Sequence, residues 1–254
     1  MLSDLKFNGE PVIVTGGGSG IGQACCEALG ELGATVVVIG RTEAKLKETE
    51  ALVRAKGAEC AWFPTDVGDE LQVESLRREV EQRWGRVKAV INNAGDNFVR
   101  PLGELDTETW RRIVAVDLDS VFYMCRAFIP LLLKAPKPSI LNVASTFALI
   151  GHGKMPVYCA AKGGVVSLTR QMAVDYGPQG LRVNSLCPGP TLSPRVRGYF
   201  DRGLVAREPV EEMVLLKRLA ECHEIANVAT FLVSDAASFV HGTAVVVDGG
   251  QTVH

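Results

Sequence analysis

Short β-branched runs alternate with amphipathic stretches along nearly the whole chain, and this alternation restricts the fold more than any single motif. The run Thr35-Val-Val-Val-Ile39 has no polar face, the pattern of a strand covered by helices on both sides. Comparable runs at 12–15, 59–63, 87–91, 139–144, 181–186 and 244–247 predict about seven strands. Between them, 20–32, 43–56, 70–84, 106–134, 156–176 and 221–234 carry helical periodicity. Gly33, Gly57 and Gly85 stand where three of these helices should stop, and Asp106 where the longest should be capped. That long helix is expected to break near Pro130. Strand, crossover helix, strand is the arrangement of an α/β fold with a doubly wound parallel sheet and helices on both faces. With no repeat and no linker, 1–254 reads as a single domain. The stretch at about 188–215 lacks clear periodicity and exceeds an ordinary connection, so it is a candidate substrate lid.

Composition excludes several partners. A net charge of −2 gives no electrostatic footprint for nucleic acid or anionic lipid. No apolar run approaches the ~20 residues that span a bilayer. The polar stretch 1–10 leads us to expect no signal peptide. The cysteines number seven, form no CxxC pair and mostly occupy apolar segments, which predicts reduced thiols in a cytoplasmic protein. No metal-ligand spacing is present.

Three residues carry the chemistry. Tyr158 and Lys162 stand four apart, on one face of the predicted 156–176 helix. A phenol ordinarily ionises near pH ~10, and an ammonium beside it favours the phenolate. Ser145 ends the strand at 139–144, where its hydroxyl can meet the phenol over a substrate oxygen. Alone, a Tyr-x-x-x-Lys spacing is more often a solvated helix face. The first strand, however, runs into Thr15-Gly-Gly-Gly-Ser-Gly-Ile-Gly22 and then a helix. Glycines there let the backbone approach a pyrophosphate, which rests on the helix's amino end.

Gly16-x-x-x-Gly20-x-Gly22, Asn92-Asn-Ala-Gly95, Ser145, Tyr158-x-x-x-Lys162 and Pro188-Gly189 follow one another in this order. With them the chain resembles the classical short-chain dehydrogenase/reductase family over its whole length. It is most similar to the subgroup of 3-oxoacyl-carrier-protein reductases and many sugar and alcohol dehydrogenases. The resemblance implies a Rossmann-type fold and an oxidoreductase moving a hydride between NAD(P) and a carbonyl or secondary alcohol, with Tyr158 as acid/base. It implies that Gly16, Ser19, Gly20, Ile21 and Gly22 hold the pyrophosphate. Asp66 would accept from the adenine amine beside Val67. Asn93, Ala94 and Gly95 would line the adenosine ribose. Pro188, Gly189, Thr191 and Ser193 would approach the nicotinamide, and Lys162 its ribose. One departure stands out: the family's usual asparagine in a Val-Asn-Leu context is Asp117 here, in Val116-Asp117-Leu118. Asp117 either joins the catalytic set beside Lys162 or bonds locally within its helix, away from the site.

Cofactor choice turns on the second strand. A free ribose 2′-hydroxyl is usually held by a carboxylate at this strand's end, yet here the strand ends in Gly40. Arg41 follows, with Thr42 beside it, and a guanidinium binds a 2′-phosphate bidentately. The expectation is NADP rather than NAD, as a preference set by one cation. Phe98, Phe147, His152, Met155, Tyr199 and Phe200 are the candidate pocket residues for a small-molecule carbonyl or alcohol. Apolar residues on more than one face of two helices, together with the resemblance, point to a homotetramer. The competing functional reading is a catalytically weak cofactor-binding regulator or interaction subunit on the same scaffold.

Overall fold

The computed structural model describes residues 3–253; Met1, Leu2 and His254, and with the first two the start of the 1–10 stretch, lie outside the described residues. The strands are β1 (Pro11–Thr15), β2 (Thr35–Gly40), β3 (Cys60–Pro64), β4 (Ala89–Asn92), β5 (Ser139–Val143), β6 (Arg182–Pro188) and β7 (Ala244–Val247). They form one sheet in the order β3-β2-β1-β4-β5-β6-β7, every neighbouring pair parallel. This is the doubly wound architecture the alternation predicts.

Helices α1 (Gly20–Glu31), α2 (Glu43–Ala55) and α9 (Cys222–Val233) cover one face. The other face carries α3 (Glu70–Trp84), α5 (Ser120–Leu132) and α6 (Pro156–Tyr176). The period of two divides each strand between them: Val12 and Val14 enter the first core and Ile13 the second, all fully buried. Each such side chain contributes about 1.5–3 kcal/mol by leaving water.

The long helix differs from expectation. Asp106 does cap it, its carboxylate accepting from Thr109 N at 2.7 Å. The interruption, however, is a single widened π turn at Ala115–Asp119, between α4 (Thr107–Val114) and α5. Pro130 sits inside the last turn of α5, which continues to Leu132. Few backbone bonds remain to be lost that close to a helix end, so the proline does not break it. The aperiodic stretch also holds structure: α7 (Pro194–Asp201) and α8 (Arg207–Glu212), too short to announce themselves by periodicity.

At the amino edge of the sheet two buried cations close the fold. Lys88 Nζ donates to the Pro136 and Lys137 carbonyls at 2.9 and 3.0 Å and pairs with Asp235 at 2.7 Å. Arg182 donates to the Leu232 and Ser234 carbonyls at 2.8 and 2.9 Å, satisfying the carboxyl end of α9.

Candidate active site

The carboxyl edge of a parallel sheet is where helix amino termini and strand-end loops converge. Here they surround a cleft of about 590 Å³. Every catalytic and cofactor-binding residue expected from the sequence lines it except Gly22. Gly22 lies beneath the loop, and a Cβ there would collide with the Gly16 carbonyl, so only glycine permits this turn. Asn93 braces the same turn. Its amide donates to the Thr15 carbonyl at 3.0 Å, while the Thr15 hydroxyl accepts from Asn93 N and Ala94 N at 2.9 and 3.0 Å. The helix cap after β3 is Asp69, accepting from Leu71 N at 2.9 Å. Asp66 instead folds back on Gly68 N at 3.0 Å and faces the cleft.

Ser145 follows β5, buried, its hydroxyl accepting from Phe147 N at 3.1 Å. Tyr158 and Lys162 project from α6, the ammonium 5.8 Å from the centre of the phenol ring. Lys162 Nζ donates to the Val143 carbonyl at 3.1 Å and lies 3.1 Å from Asp117 Oδ1. Asp117 therefore stands in the site, not apart from it. Its carboxylate is fully buried and also accepts from Asp96 N at 3.1 and 3.3 Å. The π turn presents it there.

This carboxylate changes the electrostatics expected of a Tyr–Lys pair. Burial pushes the Tyr158 phenol above its ordinary value; Lys162 opposes the rise, Asp117 reinforces it, and Ser145 opposes it. The net direction in the protein alone is upward, contrary to a reading of Tyr158 and Lys162 in isolation. Burial pulls Lys162 down, but the charges of Asp117 and Tyr158 outweigh it and hold the ammonium protonated above its usual range. Asp117 is itself raised by burial, against the pull of Lys162.

The end of the cleft beside β2 differs. Arg41 and Lys45, both exposed, line the cleft beside Thr42, whose hydroxyl makes no capping bond. Among the described residues neither cation's side chain has a hydrogen-bond or ion-pair partner. Glycine loop and helix amino end together fit the pyrophosphate of a dinucleotide. Lys45 escaped the sequence reading, although its position one turn after Arg41 on an amphipathic helix was a usable signal. Ser193 lines the cleft while capping α7, accepting from Val196 N at 3.3 Å. Thr191 also lines it, its hydroxyl turned to the Gly189 carbonyl at 3.0 Å.

Of the candidate pocket residues, Phe147, His152, Met155, Tyr199 and Phe200 line the cleft. Phe98 does not; the Arg100 guanidinium lies 5.7 Å from its ring, and Val99 faces the cleft instead. His152 stacks on Phe147, ring centres 4.2 Å apart, and burial pulls its imidazole down. Helix α7 carries Tyr199 and also Arg195, which the sequence does not single out.

A nucleotide-binding parallel sheet with a Ser, Tyr and Lys at its carboxyl edge defines a class of dehydrogenases, and the comparisons agree. Residues 16–252 match the family described as enoyl-(acyl carrier protein) reductase. The chain is 38% identical over 248 residues to meso-2,3-butanediol dehydrogenase of Serratia marcescens, covering 98% of this chain and 96% of that one. It is 36% identical to cyclopentanol dehydrogenase of Comamonas sp. (strain NCIMB 9872), covering 98% and 99%. The solved structure of levodione reductase superposes with a TM-score of 0.91 at 33% identity, covering 98% and 99%. The chain belongs to the short-chain dehydrogenase/reductase family. It is an oxidoreductase of the NAD(P)-dependent kind, of the class acting on alcohols and ketones.

Proposed function

We propose that the chain is an NADP-dependent oxidoreductase interconverting a small secondary alcohol and its ketone, with Tyr158 as the proton-transfer group. The observation that carries this reading is one cleft with Ser145, Tyr158 and Lys162 at one end and, at the other, Arg41 and Lys45, which have no partner among the described residues. A bound nicotinamide dinucleotide supplies or accepts the hydride at the carbinol carbon. In the reductive direction Tyr158 gives its proton to the carbonyl oxygen, and in oxidation it takes that proton back. Ser145 donates a hydrogen bond to the same oxygen as negative charge develops on it. Lys162 holds the nicotinamide ribose and draws the Tyr158 pKa down against burial and Asp117. Gly16, Ser19, Gly20 and Ile21 cradle the pyrophosphate, Gly22 permitting their turn. Asp66 and Val67 hold the adenine, Asn93, Ala94 and Gly95 line the ribose, and Pro188, Gly189, Thr191 and Ser193 receive the nicotinamide. Arg41, Lys45 and Thr42 bind the 2′-phosphate, which Gly40 leaves unopposed. The segment at about 188–215 acts as the lid.

The substrates named for three of the relatives, meso-2,3-butanediol, cyclopentanol and levodione, support a compact alcohol or ketone here, while another relative is named for cis-4-hydroxycyclohexanecarboxylate. Exposed Trp110 and Phe122 near one another in sequence, and Val174 on α6, support burial against further copies in a homotetramer. Among the described residues no helix is long and apolar enough to cross a membrane. The odd set of mostly buried cysteines supports a cytoplasmic setting.

Tyr158→Phe tests the reading. NADPH should still bind, measured by its fluorescence, while ketone-dependent NADPH consumption falls by about 10³-fold or more. Parental turnover in that variant removes Tyr158 from the mechanism.

A further inference from the structure

The two ends of the cleft treat their positive charges in opposite ways. At the adenosine end, Arg41 and Lys45 have no partner among the described residues. At the chemistry end each cation is already paired. Lys162 is held by Asp117 at 3.1 Å. Arg195, on the lid helix α7, is held by Asp96, with Nη1 and Oδ1 3.1 Å apart, and its Nη2 donates to the Gly95 carbonyl at 3.3 Å. His152, the remaining basic group there, is drawn toward its neutral form by burial. The rest of that wall is apolar or uncharged, including Phe147, Met155, Phe200 and the Tyr199–Asn97 hydrogen bond at 3.2 Å.

We propose that Asp96 is a specificity-determining residue: by occupying the guanidinium of Arg195 it makes the substrate end of the cleft accept uncharged alcohols and ketones and reject anionic ones. The inference rests on the Ser145–Tyr158–Lys162 reading of the site.

Arg195 and Tyr158 line the same cleft, so an unmasked guanidinium would face the space beside the phenol. A free guanidinium in a partly dry cleft is a strong carboxylate ligand, because two parallel N–H bonds match two oxygens. Asp96 Oδ1 already holds Nη1, and the Gly95 carbonyl holds Nη2. A second carboxylate entering the cleft would have to compete with both for these nitrogens or stand against the apolar wall without a partner, where a desolvated charge is costly. Asp96 also meets Arg112 Nη1 at 3.1 Å, but Arg112 is half exposed and does not line the cleft. That second contact fixes the carboxylate from behind without adding charge to the substrate wall. Position 96 follows directly on Asn93-Ala94-Gly95, so the mask sits on the loop after β4 and not on the lid.

A ring-ketone pair differing in charge but hardly in shape, 4-oxocyclohexanecarboxamide and 4-oxocyclohexanecarboxylate, tests this by kcat/KM with NADPH. The parent should prefer the amide by roughly tenfold or more, the cost of desolvating a carboxylate without a partner. Asp96→Asn should cut that preference at least tenfold or invert it, and adding Arg195→Gln should restore the preference for the amide. A parent that uses the carboxylate as well as the amide overturns the proposal, and so does an unchanged ratio in Asp96→Asn. Should Asp96→Asn not fold, competitive inhibition of the parent decides: cyclohexanecarboxamide binding more tightly than cyclohexanecarboxylate supports the proposal, and the reverse order overturns it. Tyr158→Phe separates the two readings. Its failure to lose turnover on either ketone sinks the active-site reading, whereas the charge ratio in the parent speaks only to Asp96.

Discussion

Asp117 Oδ1 and Lys162 Nζ lie 3.1 Å apart, both side chains almost wholly withdrawn from solvent, and the lysine is one of the proposed catalytic groups. A buried carboxylate in that place makes the lysine ammonium a shared resource. It must serve Asp117 and the Val143 carbonyl as well as the phenol and the cofactor. The sign of the effect on Tyr158 follows directly. Asp117 contributes to raising the phenol, so its charge delays formation of the phenolate base as pH rises.

Asp117→Asn removes that charge and keeps the shape. The acid limb of alcohol oxidation, which reports formation of the Tyr158 base, should move to lower pH. Lys162, raised mainly through Asp117 against the pull of burial, should also ionise at lower pH, so the alkaline limb moves the same way. A pH–rate profile of kcat measures both limbs. An unmoved acid limb would mean that Asp117 does not act on Tyr158.

Cofactor preference should depend on two cations and not one. Arg41→Ala and Lys45→Ala should each lower kcat/KM for NADPH by roughly tenfold with little change for NADH, since a charge-assisted hydrogen bond is worth about 1.5–3 kcal/mol. The double variant should lose the preference. A parent that favours NADH would refute the assignment of both residues.

Gly95 runs beside the buried pair with no room for a side chain. A Cβ there would stand 2.8 Å from Asp117 Oδ1 and 3.3 Å from Lys162 Nζ. Gly95→Ala should therefore displace the pair while leaving the sheet intact. Turnover should fall by about 10²-fold, the usual cost of a misplacement near 1 Å, and thermal unfolding should change far less. Parental kcat would show that the pair tolerates the displacement.

The sheet and the cofactor loop were legible because their signals are local. Thr35–Gly40 announces a doubly covered strand, and Gly16 and Gly22 announce a turn that side chains would block. Ser145, Tyr158 and Lys162 were legible as a set through their order along the chain. What escaped depends on distance across the fold. Phe98 and Val99 are neighbours, and only the twist of the loop after β4 decides which of them faces the cleft. The break at Ala115–Asp119 has no proline or glycine to mark it, whereas Pro130 marks a break that does not occur. Asp96 and Arg195 are separated by nearly a hundred residues, so their pairing is a property of the folded sheet.

The clamp of Lys88 and Arg182 bears on the order of synthesis. Every residue of the proposed catalytic and cofactor set precedes position 194, yet Lys88 reaches its carboxylate only at Asp235, and Arg182 its carbonyls only at Leu232 and Ser234. Helix α1, which carries the pyrophosphate loop, is covered by α9. A nascent chain halted at about residue 220 thus owns a full chemical inventory on an unclosed sheet. Such long-range closure is entropically late. The last segment must therefore be delivered before the apolar face of α1 is covered, and until then that face stays open to aggregation.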